Sequence, residues 1–430
     1  MSPNMFERRI FWWVASIKIA LLVAVIVVFG ADRLFWSDSF VYKDLAKSIV
    51  VGSGYGDSLR TPFYPVVVSL FVGWGSFGAV VVAVLQAILM ALASVFLFRT
   101  ARFFVSERPA TLIALLFAFE PLSVLLNILI LPETFLLLFL ILFWYWFVRG
   151  YREDRMLFLA YSAIALVFAI LTKPVALYLW VLPVCFLLYS KRIRRACVYG
   201  GLVFVLLLPW MIHNKIAFDA FTVTTHDKAS VCGYLLTSVF ASEFGKDPSN
   251  MDVSIFPPEF QKAQARCTTS GVGLRIAVFE YPASFVKTMV LSTAAFFTNE
   301  GYGAFFQKAP EESIKAHHNY LTPVVFADVE WRRNLIEAAR ELSVPVLAII
   351  FAGKLFWTII VLLACVGIYS GLKDAHTRMP TIFLVLVLLY FVGVTVMSTG
   401  FGVGARLRYP VTPILFLFAI FYLVRRYKIV

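Results

Sequence analysis

The chain has 430 residues, of which 61% are hydrophobic and 17% aromatic, and its formal net charge is +13. This composition excludes an ordinary soluble domain, because soluble domains are only about half apolar. The net charge alone would suggest a nucleic-acid ligand. The basic residues, however, cluster in short connections between apolar stretches, so we attribute the charge to membrane topology.

The apolar stretches predict an all-α polytopic membrane protein with about ten transmembrane helices, since each approaches the roughly 20 residues that span a bilayer. In chain order they are Ile10–Gly30, Phe77–Phe98, Ala110–Leu129, Thr134–Val148, Met156–Leu171, Val175–Tyr189, Ala196–Ile212, Val344–Gly371, Thr381–Met397 and Val411–Val424. Basic clusters occupy every second connection, which places both termini in the cytoplasm. The first stretch is too long for a signal peptide and lacks an A-x-A cleavage site, so we expect an uncleaved helix.

This topology divides the chain into three parts. They are an N-terminal transmembrane module (1–213) with its first outer loop (31–76), an outer segment (214–343) and the C-terminal transmembrane helices (344–430). A short loop, 398–410, also faces the outer side.

The outer segments carry their own predicted elements. Helical periodicity over Val41–Val50 predicts an amphipathic surface helix that ends at Gly52. The stretch Thr61–Trp74 is short and interrupted by proline, so we expect an interfacial or re-entrant piece. The large outer segment predicts a small domain with an interfacial helix at Ser284–Phe297 and a charged helix at Trp331–Leu342.

Acidic residues near the outer face are the first candidates for chemistry, because a carboxylate at a membrane boundary is costly unless it is paired, hydrated or used. Asp38 precedes the amphipathic helix and is either its N-cap or a catalytic base. Glu133 begins the fourth span and is again either a cap or a catalytic group. Glu120 precedes Pro121 inside the third apolar stretch, so either the proline breaks that helix beside a cavity or Glu120 pairs within the bundle.

Basic residues on the outer face form the complementary set and depart from the positive-inside pattern. They are Arg60, Lys173, Arg406 and Arg408. Arginine suits bidentate phosphate binding and lysine a point-charge contact. The alternative is that these side chains reach lipid headgroups, and we favour that alternative for Lys354.

No motif specifies a metal or a nucleotide. The adjacent His317 and His318 lack the spacing of a helical metal pair, and neither a P-loop nor a Rossmann glycine pattern occurs in a suitable context. A role for a divalent metal stays open, and no other cofactor is predicted. Cys232 and Cys267 both fall in the outer segment, where an oxidising compartment favours a disulfide between them.

Six short motifs follow one another along the chain. They are Asp38 in the first outer loop, Arg60-Thr61-Pro62-Phe63-Tyr64-Pro65, Pro132-Glu133-Thr134, Leu171-Thr172-Lys173-Pro174, Pro209-Trp210-x-x-His213-Asn214 and Arg406-x-Arg408-Tyr409-Pro410. Together they resemble the polyprenyl-phosphate-sugar-dependent glycosyltransferases of the GT-C superfamily, in the branch of protein mannosyltransferases and lipid A aminoarabinose transferases. Relatives usually carry arginine where this chain has His213, so a permanent cation is replaced by a group that titrates near neutral pH.

The resemblance implies an inverting transfer of a sugar from a polyprenyl-phosphate donor to a lipid, glycan or protein acceptor. Asp38 would be the base, and Glu133 a second acid that orients the acceptor or a cation. The donor phosphate would be bound by Arg60, Lys173, Arg406 and Arg408. Further site candidates are Glu120, His213 and Asn214.

Two other classes of protein fit the same charged residues. A transporter or lipid flippase would line its path with them, although such proteins usually show internal repeats and this chain shows none. An O-antigen ligase or polymerase would act on undecaprenyl-pyrophosphate-linked glycans. The asymmetric first loop and the large outer segment favour the glycosyltransferase. We therefore expect a multi-pass protein of a bacterial inner membrane whose active site faces the periplasm, with no nucleic-acid partner.

Overall fold

The computed structural model describes residues 5–36, 38–246, 256–302 and 321–428. Those residues form helices and connecting segments and contain no strand, so the predicted all-α class is confirmed. The α-helices of the first half are α1 (Met5–Phe29), α2 (Ser39–Val50), α3 (Phe63–Val72), α4 (Gly75–Ala101), α5 (Glu107–Phe119), α6 (Pro121–Ile128), α7 (Glu133–Arg152), α8 (Met156–Thr172), α9 (Val181–Tyr189) and α10 (Ile193–Phe218).

The second half contains a further set of helices. They are α11 (His226–Ala229), α12 (Leu236–Glu243), α13 (Pro258–Arg266), α14 (Ser270–Arg275), α15 (Pro282–Thr298), α16 (Trp331–Glu341), α17 (Val344–Lys373), α18 (Arg378–Thr399), α19 (Ala405–Arg408) and α20 (Thr412–Tyr427). Helices α2, α15 and α16 confirm the helices predicted in the outer segments.

The number of helices able to cross a membrane is lower than predicted. In the described part of the chain, seven helices are long and apolar enough, or up to eight if the bent pair α5 and α6 counts as one span. Two predicted spans, Met156–Leu171 and Val175–Tyr189, correspond to shorter apolar helices. The polytopic character is confirmed, and the count of ten is not.

The bend between α5 and α6 lies at Glu120 and Pro121 and measures 56°. Pro121 lacks the N–H that would continue α5, which breaks the hydrogen-bond ladder at this point. The Glu120 carboxylate accepts a hydrogen bond from Ser123 N at 2.8 Å and so caps α6. The predicted proline break is therefore confirmed, whereas the cavity predicted beside it stays a prediction.

The helices are distributed over two compact units. The first comprises residues 1–224, 362–389 and 409–430, and the second comprises 225–361 and 390–408. Helices α17 and α18 are each divided between the two units. The predicted three-part division at 213 and 343 stays a prediction.

Basic residues gather at one end of the first unit. Arg99 at the end of α4 pairs with Glu7 near the start of α1 at 2.8 Å, and Arg192 beside α10 pairs with Asp154 at 3.1 Å. Arg425 at the end of α20 pairs with Asp374. Because consecutive helices run in opposite directions, Asp38, Glu133 and Lys173 lie at the other end of these helices.

The second unit contains a disulfide between Cys232 and Cys267, as predicted. It also contains an ion pair that corrects a prediction. Lys354 Nζ lies 3.1 Å from Glu300 Oε2, and the Glu300 carboxylate is buried. The predicted reach of Lys354 to lipid headgroups is wrong, because its ammonium neutralises a buried acid within the protein.

Candidate active site

The first part of the site is built around Arg60 in the loop between α2 and α3. Asp38 occupies the N-cap position of α2, but its side chain makes no capping hydrogen bond there. Its Oδ1 lies instead 3.7 Å from Arg60 Nη2, and 39% of the Asp38 side chain is exposed. The geometry therefore favours an acid that faces a cation over an acid that caps a helix.

Asp57 is a site residue that the sequence reasoning missed. Its Oδ1 accepts hydrogen bonds from Leu59 N at 2.6 Å and Arg60 N at 3.3 Å, and its Oδ2 lies 3.1 Å from Arg60 Nη1. Only 15% of the Asp57 side chain is exposed. The Asp-x-x-Arg spacing within a loop rich in glycine and serine could have indicated this turn, since aspartate side chains bind backbone N–H groups two residues ahead.

Neighbouring aromatic residues hold the Arg60 guanidinium. It lies 5.9 Å from the centre of the Tyr42 ring, and Tyr55 Oη donates to the carbonyls of Arg60 and Thr61. Burial opposes the charge of Arg60, but the hydrogen bond to Asp57 and the charges of Asp57 and Asp38 outweigh it and raise the pKa of the guanidinium. Burial and the charge of Asp57 also raise the pKa of Tyr55 far above its usual value, so Tyr55 stays a donor.

The second part of the site is the pair Glu133 and Lys173. Glu133 is the first residue of α7, and Lys173 follows the last residue of α8, so both lie at the same end of two antiparallel helices. Lys173 has the extended backbone that Pro174 imposes on the residue before it. Its Nζ donates to Glu133 Oε1 at 2.8 Å, and the Glu133 side chain is only 1% exposed.

Aromatic side chains of α2, α3 and α7 join the two parts. The ring of Tyr42, beside Arg60, lies 5.1 Å from that of Tyr64, which in turn lies 5.6 Å from that of Phe135. Phe135 is in the first turn of α7, next to Glu133. The structure thus brings the predicted residues Asp38, Arg60, Glu133 and Lys173 to one end of the first unit.

The end of α10 supports the Arg60 loop. Asn214 is buried and donates to the carbonyls of Thr222 and Val223 at 2.8 and 3.1 Å, which closes the turn after the helix. Thr224 Oγ1 then donates to Leu59 O at 2.7 Å. His213 stacks on Trp210 with ring centres 4.5 Å apart. Asn214 therefore holds the backbone, while His213 keeps a partly exposed imidazole at the helix end.

An open groove of about 320 Å³ begins four residues after Lys173. Its walls come from the segment before α9, from α10 and from the turn after α10, with Tyr178, Trp180, Phe204, Leu207 and Phe221 among the lining residues. These side chains are apolar or aromatic. The groove therefore suits a hydrocarbon chain more than a sugar.

The remaining predicted cations, Arg406 and Arg408, belong to the second unit, where both lie on α19. Arg408 is fully buried, and its Nη1 donates to the carbonyls of Phe296, Phe297 and Asn299 at the C-terminal end of α15. Its guanidinium also lies 3.7 Å from the centre of the Trp357 ring. Arg408 thus caps α15, and a cation there complements the helix dipole.

Metal ligands do not form a cluster in the part of the chain that the structure describes, where no group of three or more His, Cys, Asp or Glu residues is close enough to hold an ion. His317 and His318 lie outside the described residues. The acids Asp38 and Asp57 both lie beside the Arg60 guanidinium.

A sequence comparison relates part of the chain to a known family. Residues 60–213 match the family described as dolichyl-phosphate-mannose-protein mannosyltransferase. The matched range includes Arg60, Glu133, Lys173 and His213, and it begins after Asp38. No curated protein sequence matches the chain.

Two solved structures of Archaeoglobus fulgidus share the fold. The apo oligosaccharyltransferase of Archaeoglobus fulgidus aligns over 98% of this chain with a TM-score of 0.54 and 14% identity. The archaeal oligosaccharyltransferase AglB of the same organism, in complex with an inhibitory peptide and a dolichol-phosphate, aligns over 99% with a TM-score of 0.51 and 12% identity. The chain spans about half the length of each, 50% and 51%. ArnT from Cupriavidus metallidurans, bound to undecaprenyl phosphate, aligns over 94% of this chain and 76% of its own with a TM-score of 0.41 and 16% identity.

These findings establish the fold. The chain shares the fold of the Archaeoglobus fulgidus oligosaccharyltransferases, and its residues 60–213 are similar to the mannosyltransferase family. Fold likeness at this level of identity does not extend to activity.

Proposed function

We propose that the chain is an inverting glycosyltransferase that moves a sugar from a polyprenyl-phosphate donor to a lipid, glycan or protein acceptor on the outer face of the membrane. One observation carries the proposal. Two acid–cation pairs, Asp38 with Arg60 and Glu133 with Lys173, lie at one end of the first unit, and the aromatic residues Tyr42 and Tyr64 lie between them.

In the proposed reaction, Asp38 takes the proton from an acceptor hydroxyl or amine. The acceptor atom forms a bond to the anomeric carbon of the sugar on the face opposite the phosphate, the bond from that carbon to the phosphate oxygen breaks, and the configuration inverts. Asp38 suits the role because its carboxylate is partly exposed, so an acceptor can reach it, and it lies beside the Arg60 guanidinium.

The leaving phosphate gains negative charge as the bond breaks, and fixed cations lower the energy of that state. We assign Arg60 and Lys173 to this task. Glu133 is the acid that orients Lys173, because its carboxylate is buried and lies within hydrogen-bond distance of the ammonium. We also propose Arg406 as a ligand of the donor phosphate, on the basis of the sequence resemblance. Arg408 is assigned a positioning role, because three carbonyls and a tryptophan ring already hold its guanidinium.

The lipid part of the donor is assigned to the apolar groove beside α10. The groove starts close to Lys173 along the chain, so a lipid phosphate at Lys173 would direct its hydrocarbon chain towards those walls. The structure of AglB, which shares the fold, was solved in complex with an inhibitory peptide and a dolichol-phosphate. We propose the same chemical class of ligand here.

The distribution of charge supports the proposed outer location of the reaction. Basic residues concentrate at the end of the first unit opposite to Asp38 and Glu133, and cytoplasmic loops carry such an excess. We therefore propose that the acids and their cations face the periplasm of a bacterial inner membrane.

Transfer from purified donors tests the proposal. The protein in proteoliposomes would receive radiolabelled monosaccharides linked to polyprenyl phosphate, together with envelope glycolipids, glycans and peptides as acceptors. We expect the label to move covalently to one of these acceptors, with no transfer by the Asp38→Asn variant. Transfer only from pyrophosphate-linked glycans would indicate a ligase or polymerase, and movement of the donor across the bilayer without transfer would indicate a flippase. Either result would refute the proposal.

A further inference from the structure

A pair of buried amides lies beneath the two acid–cation pairs. Gln86 is on α4 and Asn127 is near the end of α6, and both side chains are fully buried. Gln86 Nε2 donates to Asn127 O at 2.8 Å and Leu129 O at 2.7 Å. Asn127 Nδ2 donates to Gln86 O at 2.9 Å and Thr134 Oγ1 at 3.2 Å. The two residues therefore bind each other in both directions.

The amide pair determines where α7 begins. Helix α6 ends at Ile128 and α7 begins at Glu133, so the residues between them lack the regular hydrogen bonds of a helix. Gln86 binds the carbonyl of Leu129, and Ile130 N donates to Leu34 O at 2.8 Å. Asn127 holds Thr134, the residue next to Glu133. Since a buried carbonyl without a partner is costly in a membrane, these bonds restrict the backbone that leads into Glu133.

The amide pair also contacts an aromatic residue on the Arg60 side of the site. Tyr64 Oη donates to Gln86 Oε1 at 3.0 Å, and the Tyr64 ring packs edge-on against Tyr42. Tyr42 in turn lies beside the Arg60 guanidinium. Gln86 therefore contacts both Tyr64, on the side of Arg60, and the backbone that leads to Glu133, the partner of Lys173.

We propose that Gln86 and Asn127 are positioning residues for the transfer reaction, which hold Glu133 and, through it, Lys173 in register with Arg60. The inference rests on the proposed function and adds to it the residues that set the geometry of the phosphate site. Neither residue touches the reacting atoms, and both act through the backbone of the α6–α7 connection and through Tyr64.

A double-mutant cycle separates positioning from general stability. Asn127→Ala should lower kcat at least about tenfold, because small displacements of catalytic groups are costly. In a Glu133→Gln background, the same change should lower kcat less than about twofold, since the group that Asn127 positions is already inactive. Thr134→Val removes only the acceptor of the Asn127 hydrogen bond and keeps the shape, so it serves as the milder variant if Asn127→Ala folds poorly.

Ser162→Ala is the matched control. Ser162 is also buried and donates to a main-chain carbonyl, that of Phe143, in the packing of α7 against α8. It lies near the middle of α8, away from Lys173. We expect its loss to lower the melting temperature in detergent as Thr134→Val does, but to leave kcat unchanged.

A second readout does not depend on activity. Cysteines placed together at Glu133 and Lys173 would be treated with a short bifunctional thiol reagent, and the yield of cross-link would be measured. We expect Asn127→Ala or Thr134→Val to reduce that yield several-fold and Ser162→Ala to leave it unchanged. Equal yields in all backgrounds, or equal kcat losses in both arms of the cycle, would overturn the inference. If the double-cysteine variants cross-link as expected but the protein with Glu133 and Lys173 intact transfers no sugar, the proposed function alone would be refuted.

Discussion

Two aspartates beside Arg60, Asp38 and Asp57, differ in their contacts. Asp57 uses both carboxylate oxygens on the backbone and the guanidinium, whereas Asp38 approaches Arg60 at a longer distance and is more exposed. A base must reach an acceptor, and a positioning acid must stay with its partner. We therefore propose that Asp57 holds Arg60 in place and that Asp38 reaches the acceptor.

Asp38→Asn should lower kcat by roughly 100-fold or more, because the amide has nearly the same size but no useful proton affinity. Asp57→Asn should instead raise the KM for donor, because Arg60 loses its closest countercharge while the turn can still form. Initial rates against donor concentration would distinguish the two variants. Asp44→Asn, an exposed acid of α2, is the control and should behave as wild type.

The buried pair of Glu133 and Lys173 makes a prediction about stability. Lys173→Met leaves a buried carboxylate without its cation, which should cost about 3–5 kcal/mol of unfolding free energy. Adding Glu133→Gln should restore much of that stability without restoring transfer. Thermal unfolding in detergent and transfer assays on the same preparations would measure both quantities. A double variant no more stable than Lys173→Met would show that the pair is not the cause.

Arg406 and Arg408 should also differ. Arg408→Ala removes three hydrogen bonds to buried carbonyls and should destabilise the protein by about 3 kcal/mol. Arg406→Ala should raise the KM for donor, because Arg406 is a proposed phosphate ligand. Melting curves and donor titrations test whether Arg408 acts on stability and Arg406 on donor binding. The reverse effects of the two variants would contradict this assignment.

At the scale of elements, apolar periodicity predicted the helices well and their interruptions poorly. The stretch Ala110–Leu129 has the length of one span, yet Pro121 and the capping carboxylate of Glu120 divide it into α5 and α6. The sequence pointed to both residues but left two alternatives open, a helix broken at the proline or a Glu120 that pairs within the bundle. Local patterns cannot decide between them, because the choice depends on the partners that the three-dimensional packing supplies.

The same limit applies to the site. Sequence motifs identified Arg60, Glu133 and Lys173 one by one, but Glu133 and Lys173 are far apart along the chain and only the packing of α7 against α8 shows that they pair. Gln86 gave no signal, since a single glutamine in an apolar helix matches no motif. Its role depends on carbonyls of another helix.

A substitution in α10 tests whether the groove beside this helix binds the hydrocarbon chain of the donor. Leu207→Trp adds a large ring to the groove wall and should raise the KM for a long-chain donor at least several-fold, with kcat unchanged. Leu206→Trp, on the neighbouring exposed position, is the control. A water-soluble short-chain donor should be insensitive to both changes. Equal effects on long and short donors would contradict the assignment of the groove.

At the scale of the whole molecule, charge separates the two ends of the first unit. Ion pairs of arginine with Glu7, Asp154 and Asp374 gather at one end, and the acid–cation pairs of the site lie at the other. The disulfide between Cys232 and Cys267 agrees with an oxidising compartment for the second unit. Each observation supports the proposed orientation for the unit that it concerns.

Cysteine labelling tests that orientation. In a background with Cys185, Cys197 and Cys365 replaced by serine, Lys262→Cys on α13 should react with a membrane-impermeant thiol reagent in intact spheroplasts. Arg155→Cys, in the turn between α7 and α8, should react only after the membrane is permeabilised, because this turn belongs to the basic end. Both positions are exposed, so access to the reagent depends on the side of the membrane. The opposite pattern of labelling would place Asp38 and Glu133 in the cytoplasm and remove the basis for a periplasmic reaction.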